Sequence, residues 1–203
     1  MIYQSIADIY AANDAARRRL AARVENLSVA QQTFRPAEGA WSIAEIIDHL
    51  SVTEQNMVQL FGMLLKKSEG AAARSANAGG NGDDVGGGGA HTGEGAPHFR
   101  PFSLDQYIEQ VRDVKLNAPE QVRPGRDVAL ADALAKLAGT RAAIDDMRPR
   151  LEAADLGAAT YPHPAFGEFN AAQWLAFIGL HESRHLGQIE NLMAAPGFGQ
   201  VET

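Results

Sequence analysis

The chain has 203 residues and contains no cysteine. That absence excludes a disulfide framework, a thiolate metal site and a cysteine nucleophile. Basic residues are also few, since 18 Lys and Arg against 25 Asp and Glu give a net charge of −7, which argues against a duplex-binding module. The longest apolar run, residues 171–180, is half the length of a membrane span, and no signal-peptide pattern opens the chain. We therefore expect a soluble, cytoplasmic protein with one domain over residues 1–203.

Apolar residues recur at helical spacing in four long stretches. These stretches predict helices over residues 2–24, 43–67, 128–147 and 171–195, and a shorter helix is predicted over residues 104–116. Capping boxes mark the starts of the second and fourth long helices, at Ser42 with Glu45 and at Asn170 with Gln173. We find no strand pattern, so the predicted fold is all-α, a four-helix bundle.

Two segments of unusual composition carry no predicted function. Residues 68–100 contain a Gly-rich stretch. This composition predicts a flexible insertion between the second and third long helices, with His91 and His98 as loop residues. A Gly-rich phosphate-binding loop needs a strand before it and a helix after it, and neither is predicted here. The basic cluster Arg17, Arg18, Arg19 and Arg23 is interpreted as a solvated helix end.

Two histidines of the fourth helix lie where apolar residues are expected. At 100° per residue, His181 and His185 fall within about 20° of Trp174, at the centre of the apolar stripe. Buried imidazoles need partners, and a pair at i and i+4 can share one metal ion. The alternative is a pair of core histidines that bond to buried carbonyls or glutamates.

A metal site needs a third ligand, and His49 at the edge of the stripe of the second helix is the best candidate. His163 lies between the third and fourth helices, and we interpret it as a loop residue that could also neighbour the site. Imidazole ligands favour Zn²⁺, Ni²⁺ or Fe²⁺ over Mg²⁺ and Ca²⁺.

The segment from His181 to His185 also matches the H-E-x-x-H signature of zinc proteases. The extended form of that signature requires Gly at 188 and His at 191, where this chain has Gln188 and Asn191. No strand is predicted to hold a peptide, so a protease is disfavoured. Glu182 is as compatible with a polar helix face as with a catalytic base.

Several segments resemble the DinB-like superfamily. The sequence WSIAEIIDHL at 41–50 is similar to its W-S-x-x-E/Q-x-x-x-H-L segment, and HPAFG at 163–167 with the segment 174–189 is similar to its C-terminal part. The resemblance implies a four-helix bundle of the DinB/YfiT-like type that binds a divalent metal through His49, His181 and His185. It also implies a homodimer. Characterised relatives in the superfamily include S-transferases and isomerases that use bacillithiol or mycothiol.

Three functions follow from this reading. An S-transferase would need a low-molecular-weight thiol as cosubstrate, because the chain has no cysteine of its own. A metal-dependent hydrolase would need only water. In a non-catalytic interaction protein the ion would only hold two helices together. A fourth protein ligand such as His163 would favour this structural role. Arg184 and Gln188 are the neighbours predicted to meet a small-molecule substrate or to support the metal ligands, and the alternative for both is a polar helix face or a dimer contact.

Overall fold

A computed structural model describes residues 1–78, 99–111 and 117–200, and most of them are helical. The helices are α1 (Ile6–Val24), α2 (Val29–Thr33), α3 (Ile43–Ala78), α4 (Asp105–Val111), α5 (Leu130–Asp146), α6 (Arg148–Ala153) and α7 (Ala171–Met193), with single 3₁₀ turns at Glu120–Val122 and Phe198–Gln200. The strands are β1 (Ile2–Tyr3), β2 (Phe102–Ser103), β3 (Thr160–His163) and β4 (Gly167–Asn170).

The four long helices α1, α3, α5 and α7 form a bundle, which confirms the predicted fold class. Helix α1 packs against α7, and α3 packs against both α5 and α7. Both predicted capping boxes are present, with reciprocal side-chain and backbone bonds at Ser42 and Glu45 and at Asn170 and Gln173. Among the described residues, no helix is long and apolar enough to cross a membrane.

Two features of the amino-terminal half differ from the prediction. The first helix begins at Ile6, because Ser5 caps it by accepting a bond from the Asp8 backbone, and the residues before it pair with β2 as an antiparallel strand. The prediction that the chain has no strands is therefore wrong. Each strand of the β1–β2 and β3–β4 pairs has at most four residues, too few for an alternating pattern to show in the sequence.

The second predicted helix does not stop at residue 67, since α3 continues to Ala78. Ser68 is buried and donates a hydrogen bond to the Asp155 carbonyl at 2.9 Å, so the start of the predicted insertion belongs to the packed bundle. Alanines follow Gly70, and alanine is the strongest helix former. The insertion prediction over residues 79–98, including His91 and His98, lies outside the described residues.

The carboxy-terminal half agrees with the prediction more closely. Helix α5 ends at Asp146, and Pro149 lies in the first turn of α6, where its missing N–H costs nothing. The shorter predicted helix is present as α4, and its predicted end over residues 112–116 is outside the described residues.

A layer of buried polar residues divides the bundle core. One hydrophobic cluster surrounds Phe61 and Phe169, and the other surrounds Leu20 and Ile189. Each of the four long helices contributes polar side chains between the two clusters, and the members with less than a tenth of their surface exposed are Asn13, His49, Glu54, Thr140, Glu182 and His185. A buried polar layer is costly unless its members satisfy one another, so its contacts decide what the layer can do.

Candidate metal centre

The structure brings together the three histidines that the sequence predicts as ligands. His49 projects from α3, and His181 and His185 project from α7. The His181 Nε2 atom lies 3.0 Å from His185 Nε2 and 3.4 Å from His49 Nε2. One ring nitrogen from each residue lies within 4.8 Å of the other two. Their role as ligands remains a prediction.

Hydrogen bonds fix which ring nitrogen faces the centre. His49 Nδ1 lies 2.5 Å from the Val122 carbonyl, which can only accept, so Nδ1 carries the proton. His185 Nδ1 lies 2.9 Å from Gln188 Oε1 and donates to it in the same way. In a neutral imidazole the other nitrogen is then an acceptor. The Nε2 lone pairs of His49 and His185 therefore both point towards His181.

The donor set fits a divalent transition ion. Zinc–imidazole bonds of about 2.0–2.1 Å place two ligand nitrogens roughly 2.9–3.4 Å apart at bond angles of 90–110°. The two Nε2 separations from His181, 3.0 and 3.4 Å, fall in this range. Without a cation, imidazole lone pairs at these distances would repel one another unless a proton lay between them. The residues present thus suit a single ion held by three imidazoles.

The three rings are held in the neutral form that metal binding requires. Burial lowers the pKa of His49 below its usual value, and the Val122 hydrogen bond opposes this shift. Burial and the nearby imidazoles hold the pKa of His181 well below its usual range. Burial lowers the pKa of His185 to about 3, so this ring carries no charge near neutral pH.

His163 is not a loop residue, and it does not join the three-histidine group. It ends β3, and its Nδ1 accepts a hydrogen bond from the Ala165 backbone at 3.1 Å. Its ring stacks on Phe166 at 4.4 Å between centroids and contacts Phe177 edge to face at 4.6 Å. Phe177 in turn stacks on His181. His163 therefore neighbours the centre across one aromatic ring, as the alternative interpretation allowed.

The half-buried His163 should make the metal-free protein sensitive to acid. Burial lowers its pKa to about 4 in the folded chain, against about 6.5 in the unfolded chain. The unfolded state therefore binds more protons between these two values, and stability falls as the pH drops from about 6.5 towards 4. We expect the urea midpoint of the chelator-treated protein to fall more between pH 7 and pH 5 than that of His163→Phe, which keeps a stacking ring. Equal declines would contradict the assignment.

The polar layer behind the histidines includes residues that the sequence analysis misread. Arg17 is not part of a solvated helix end, because only 18% of its side chain is exposed. Its Nε donates to Glu182 Oε1 at 2.6 Å, its Nη2 donates to Glu54 Oε1 at 2.7 Å, and its Nη1 donates to the Leu137 carbonyl. The helical stripe could have revealed it, since residue 17 lies one turn from both Asn13 and Leu20.

These contacts settle the position of the glutamate in the H-E-x-x-H segment. Glu182 is buried, and its Oε1 faces Arg17 rather than the outside of the bundle, so the polar-face interpretation is wrong. Its Oε2 has no hydrogen-bond partner within the described ranges. Burial raises the pKa of this carboxyl, and Arg17 opposes the rise. Glu182 bonds to Arg17 on the α1 side of α7, about 80° around the helix from the histidine face, so it is poorly placed to act as the base of a zinc protease.

Backbone groups near the 3₁₀ turn Glu120–Val122 also support the centre, and no sequence motif indicates them. The Val122 carbonyl orients His49, as described above. The neighbouring Asp48 is buried and accepts bonds from the Gly125 backbone at 2.8 Å and from Lys136 Nζ at 3.0 Å. The segment before α5 is therefore fastened to α3 at Val122 and again three residues later at Gly125, and Lys136 adds a bond from α5 itself.

Comparisons with known proteins agree with this architecture. The family model of the DinB superfamily matches residues 12–189. The uncharacterized protein YuaE of Bacillus subtilis (strain 168) is 24% identical in an alignment of 175 residues that covers 83% of this chain and 87% of that protein. The crystal structure of TT2238, a four-helix bundle protein, matches with a TM-score of 0.55 and 19% identity, and the match covers 92% of this chain and 99% of that one. The structural match shows the fold alone, whereas the family model spans most of the sequence, so the chain belongs to the DinB superfamily.

Proposed function

We propose that the protein is a metal-dependent transferase that joins a low-molecular-weight thiol to an electrophilic small molecule. The observation that carries the proposal is the convergence of three imidazole nitrogens that no fourth ligand completes. Within the described residues, no further His, Asp or Glu side chain joins the group, and His163 uses its Nδ1 on the Ala165 backbone. A three-histidine site keeps a coordination position for a substrate, whereas a structural zinc site is closed by four protein ligands.

The ligand histidines supply the site, and a bound divalent ion of zinc, nickel or iron would lower the pKa of a thiol or water that it coordinates. His49 and His185 are fully held by their carbonyl and amide partners, with 4% and 7% of their surfaces exposed. His181 is only half-buried, as are Phe177 and His163 beside it. A substrate would therefore approach on the His181 side, along aromatic rings suited to an apolar group.

The choice of a thiol over water depends on the lack, among the described residues, of a carboxylate placed to take a proton from water. A thiol has a pKa near 8.5 and water one near 15.7, so a thiol needs less help to lose its proton. Of the described carboxylates in the polar layer, Glu54 and Glu182 are both bonded to Arg17. The chain has no cysteine, so the thiol has to be a separate small molecule. A metal-dependent hydrolase stays the alternative, because the same site could bind water.

Cobalt-loaded protein offers a direct test. We expect cysteine-derived thiols, bacillithiol and mycothiol among them, to produce a sulfur-to-cobalt charge-transfer band that serine-derived alcohols of the same shape do not. With a chloronitroaromatic electrophile, the thiol sulfur should form a bond to carbon, chloride should leave with the bonding electrons, and the thiol proton should pass to solvent. Turnover should need both the ion and the thiol.

Other outcomes would reject the transferase. Thiol-independent cleavage of activated esters, without a charge-transfer band, would favour the hydrolase. A bound ion that accepts neither thiol nor water would favour a metal-stapled interaction protein. The homodimer and the cytoplasmic location remain predictions, and sedimentation of the metal-loaded protein tests the first of them.

A further inference from the structure

The two helices that carry the predicted ligands are joined a second time, behind the histidines. Arg17 on α1 bonds at once to Glu54 on α3 and to Glu182 on α7. Glu182 follows His181 in the sequence, and Glu54 lies five positions after His49. Glu54 also accepts a bond from the Thr140 hydroxyl of α5 at 2.8 Å. One guanidinium thus connects all the long helices at the level of the centre.

A second contact from the same face of α1 holds α7 one turn earlier. The buried Asn13 donates to the Leu175 carbonyl at 2.9 Å and accepts from the Gly179 backbone at 3.0 Å. On a helical wheel, Leu175, Gly179 and Glu182 cluster roughly 100° away from the two histidines of α7. Helix α1 therefore holds α7 by a face that is separate from the face that carries the ligands.

Ligand geometry depends strongly on how a helix is rotated. A rotation of about 20° moves an atom that is ~5.5 Å from the helix axis by about 2 Å, which equals a whole metal–nitrogen bond. The histidines have to meet from two helices, so the rotation of both α3 and α7 must be fixed. Only a contact that reaches both helices can fix one relative to the other, and the fork of Arg17 does so.

We propose that Arg17 is a positioning residue for the three-histidine centre, and that its bonds to Glu54 and Glu182 set the relative rotation of α3 and α7 before an ion binds. The inference rests on the proposed metal centre. It gives the glutamate of the H-E-x-x-H segment a role in geometry rather than in proton transfer. It also explains why a largely buried arginine lies between two carboxylates instead of the apolar residues that would often be as stable.

The test measures the affinity for Co²⁺ by competition with a chelator, together with the ligand-field spectrum. The triple variant Arg17→Met/Glu54→Gln/Glu182→Gln removes the buried charges together, so no lone carboxylate stays in the core. We expect it to fold and to bind Co²⁺ about tenfold more weakly, at the lower end of the 10–100-fold loss seen when hydrogen-bond partners of ligands are removed. Its ligand-field bands should broaden or shift.

Arg141→Met is the matched control. Arg141 bonds to Asp14 on α1 and to Asp145 on α5 and lies over the Tyr10 ring, so none of these interactions involves a ligand-bearing helix. We expect wild-type affinity and spectrum from this variant. Arg17→Lys gives a second measurement, because a lysine keeps the charge but lacks the fork that bonds two carboxylates at once. Its affinity should also fall.

Each outcome decides one point. Wild-type affinity in the folded triple variant, or in Arg17→Lys, would overturn the positioning role while leaving the metal centre intact. An equal loss of Co²⁺ affinity in Arg141→Met would show that the effect comes from lower overall stability, and it would overturn the positioning role of Arg17 as well. Failure of the wild-type protein to bind Co²⁺ would instead reject the proposed function itself.

Discussion

His185→Ala should abolish stoichiometric metal binding. The wild-type protein, purified without an affinity tag and loaded with Zn²⁺ or Ni²⁺, is expected to hold one ion per chain, and the variant none. His185 Nε2 lies 3.0 Å from His181 Nε2, and its Nδ1 is held by Gln188. Among the described residues, no fourth His, Asp or Glu belongs to the group to take its place. Removal of a ligand should cost more than the ~10–100-fold loss of affinity caused by removing a hydrogen-bond partner of a ligand. Elemental analysis after dialysis provides the measurement.

The control for this experiment is His163→Ala. His163 is a half-buried imidazole close to the centre, but its Nδ1 is occupied and it lies outside the three-histidine group. This variant should keep one ion per chain. An ion that survives in His185→Ala, or that disappears in His163→Ala, would show that the centre is built from other residues. Wild-type protein that takes up no transition ion would leave the histidines as core hydrogen-bonding residues.

Gly179→Ala should be among the most destabilising single-methyl additions in the chain. A Cβ atom on Gly179 would lie 2.5 Å from Asn13 Oδ1 and 3.1 Å from Asn13 Cα. The side chain of Asn13 cannot simply move away, because it is buried and bonded to two backbone groups of α7. Overpacking and a lost buried hydrogen bond together should lower the free energy of unfolding by about 2–4 kcal/mol. Urea denaturation measures the change.

The same helix supplies a matched control in Gly187→Ala. No described atom outside its own helix turn lies within 4 Å of a Cβ built on Gly187. Alanine is the better helix former, so this variant should gain up to about 1 kcal/mol. The double variant Asn13→Ala/Gly179→Ala should recover part of the loss, since the clashing amide is gone. Equal effects at both glycines would contradict the close approach of α1 and α7.

The sequence alone indicated both the bundle and the histidine pair, because both predictions rest on the helical spacing of apolar residues. Both depend on one helical stripe, and a polar residue at the centre of an apolar stripe is visible without any tertiary contact. Arg17 was misread because it stands among three other arginines, which exposed helix ends often carry. Only the packing of α1 against α7 shows which of the four is buried. Sequence periodicity shows which residues share one face of a helix, but not which other helix packs on that face.

Element ends were less predictable than element positions. Helix α3 runs past residue 67 because Ser68 and its neighbours pack on the segment around Asp155, a contact with no local signal. The β3–β4 hairpin is held by a bond from Trp174 Nε1 to the Tyr161 carbonyl at 3.1 Å and by aromatic packing around His163. Four-residue strands with these anchors need no alternating pattern, so propensity could not reveal them.

The carbonyl of Val122 has a bearing on how this family can diverge. Every residue type carries a main-chain carbonyl, so the side chain at this position can change freely as far as the orientation of His49 is concerned. Length is constrained instead, because the Gly125 N–H must reach Asp48 only three residues later. Homologues that keep this contact should therefore vary in side chain at position 122 while rejecting insertions and deletions between residues 122 and 125. A backbone contact of this kind constrains the length of the segment in an alignment rather than the residue type at the contact position.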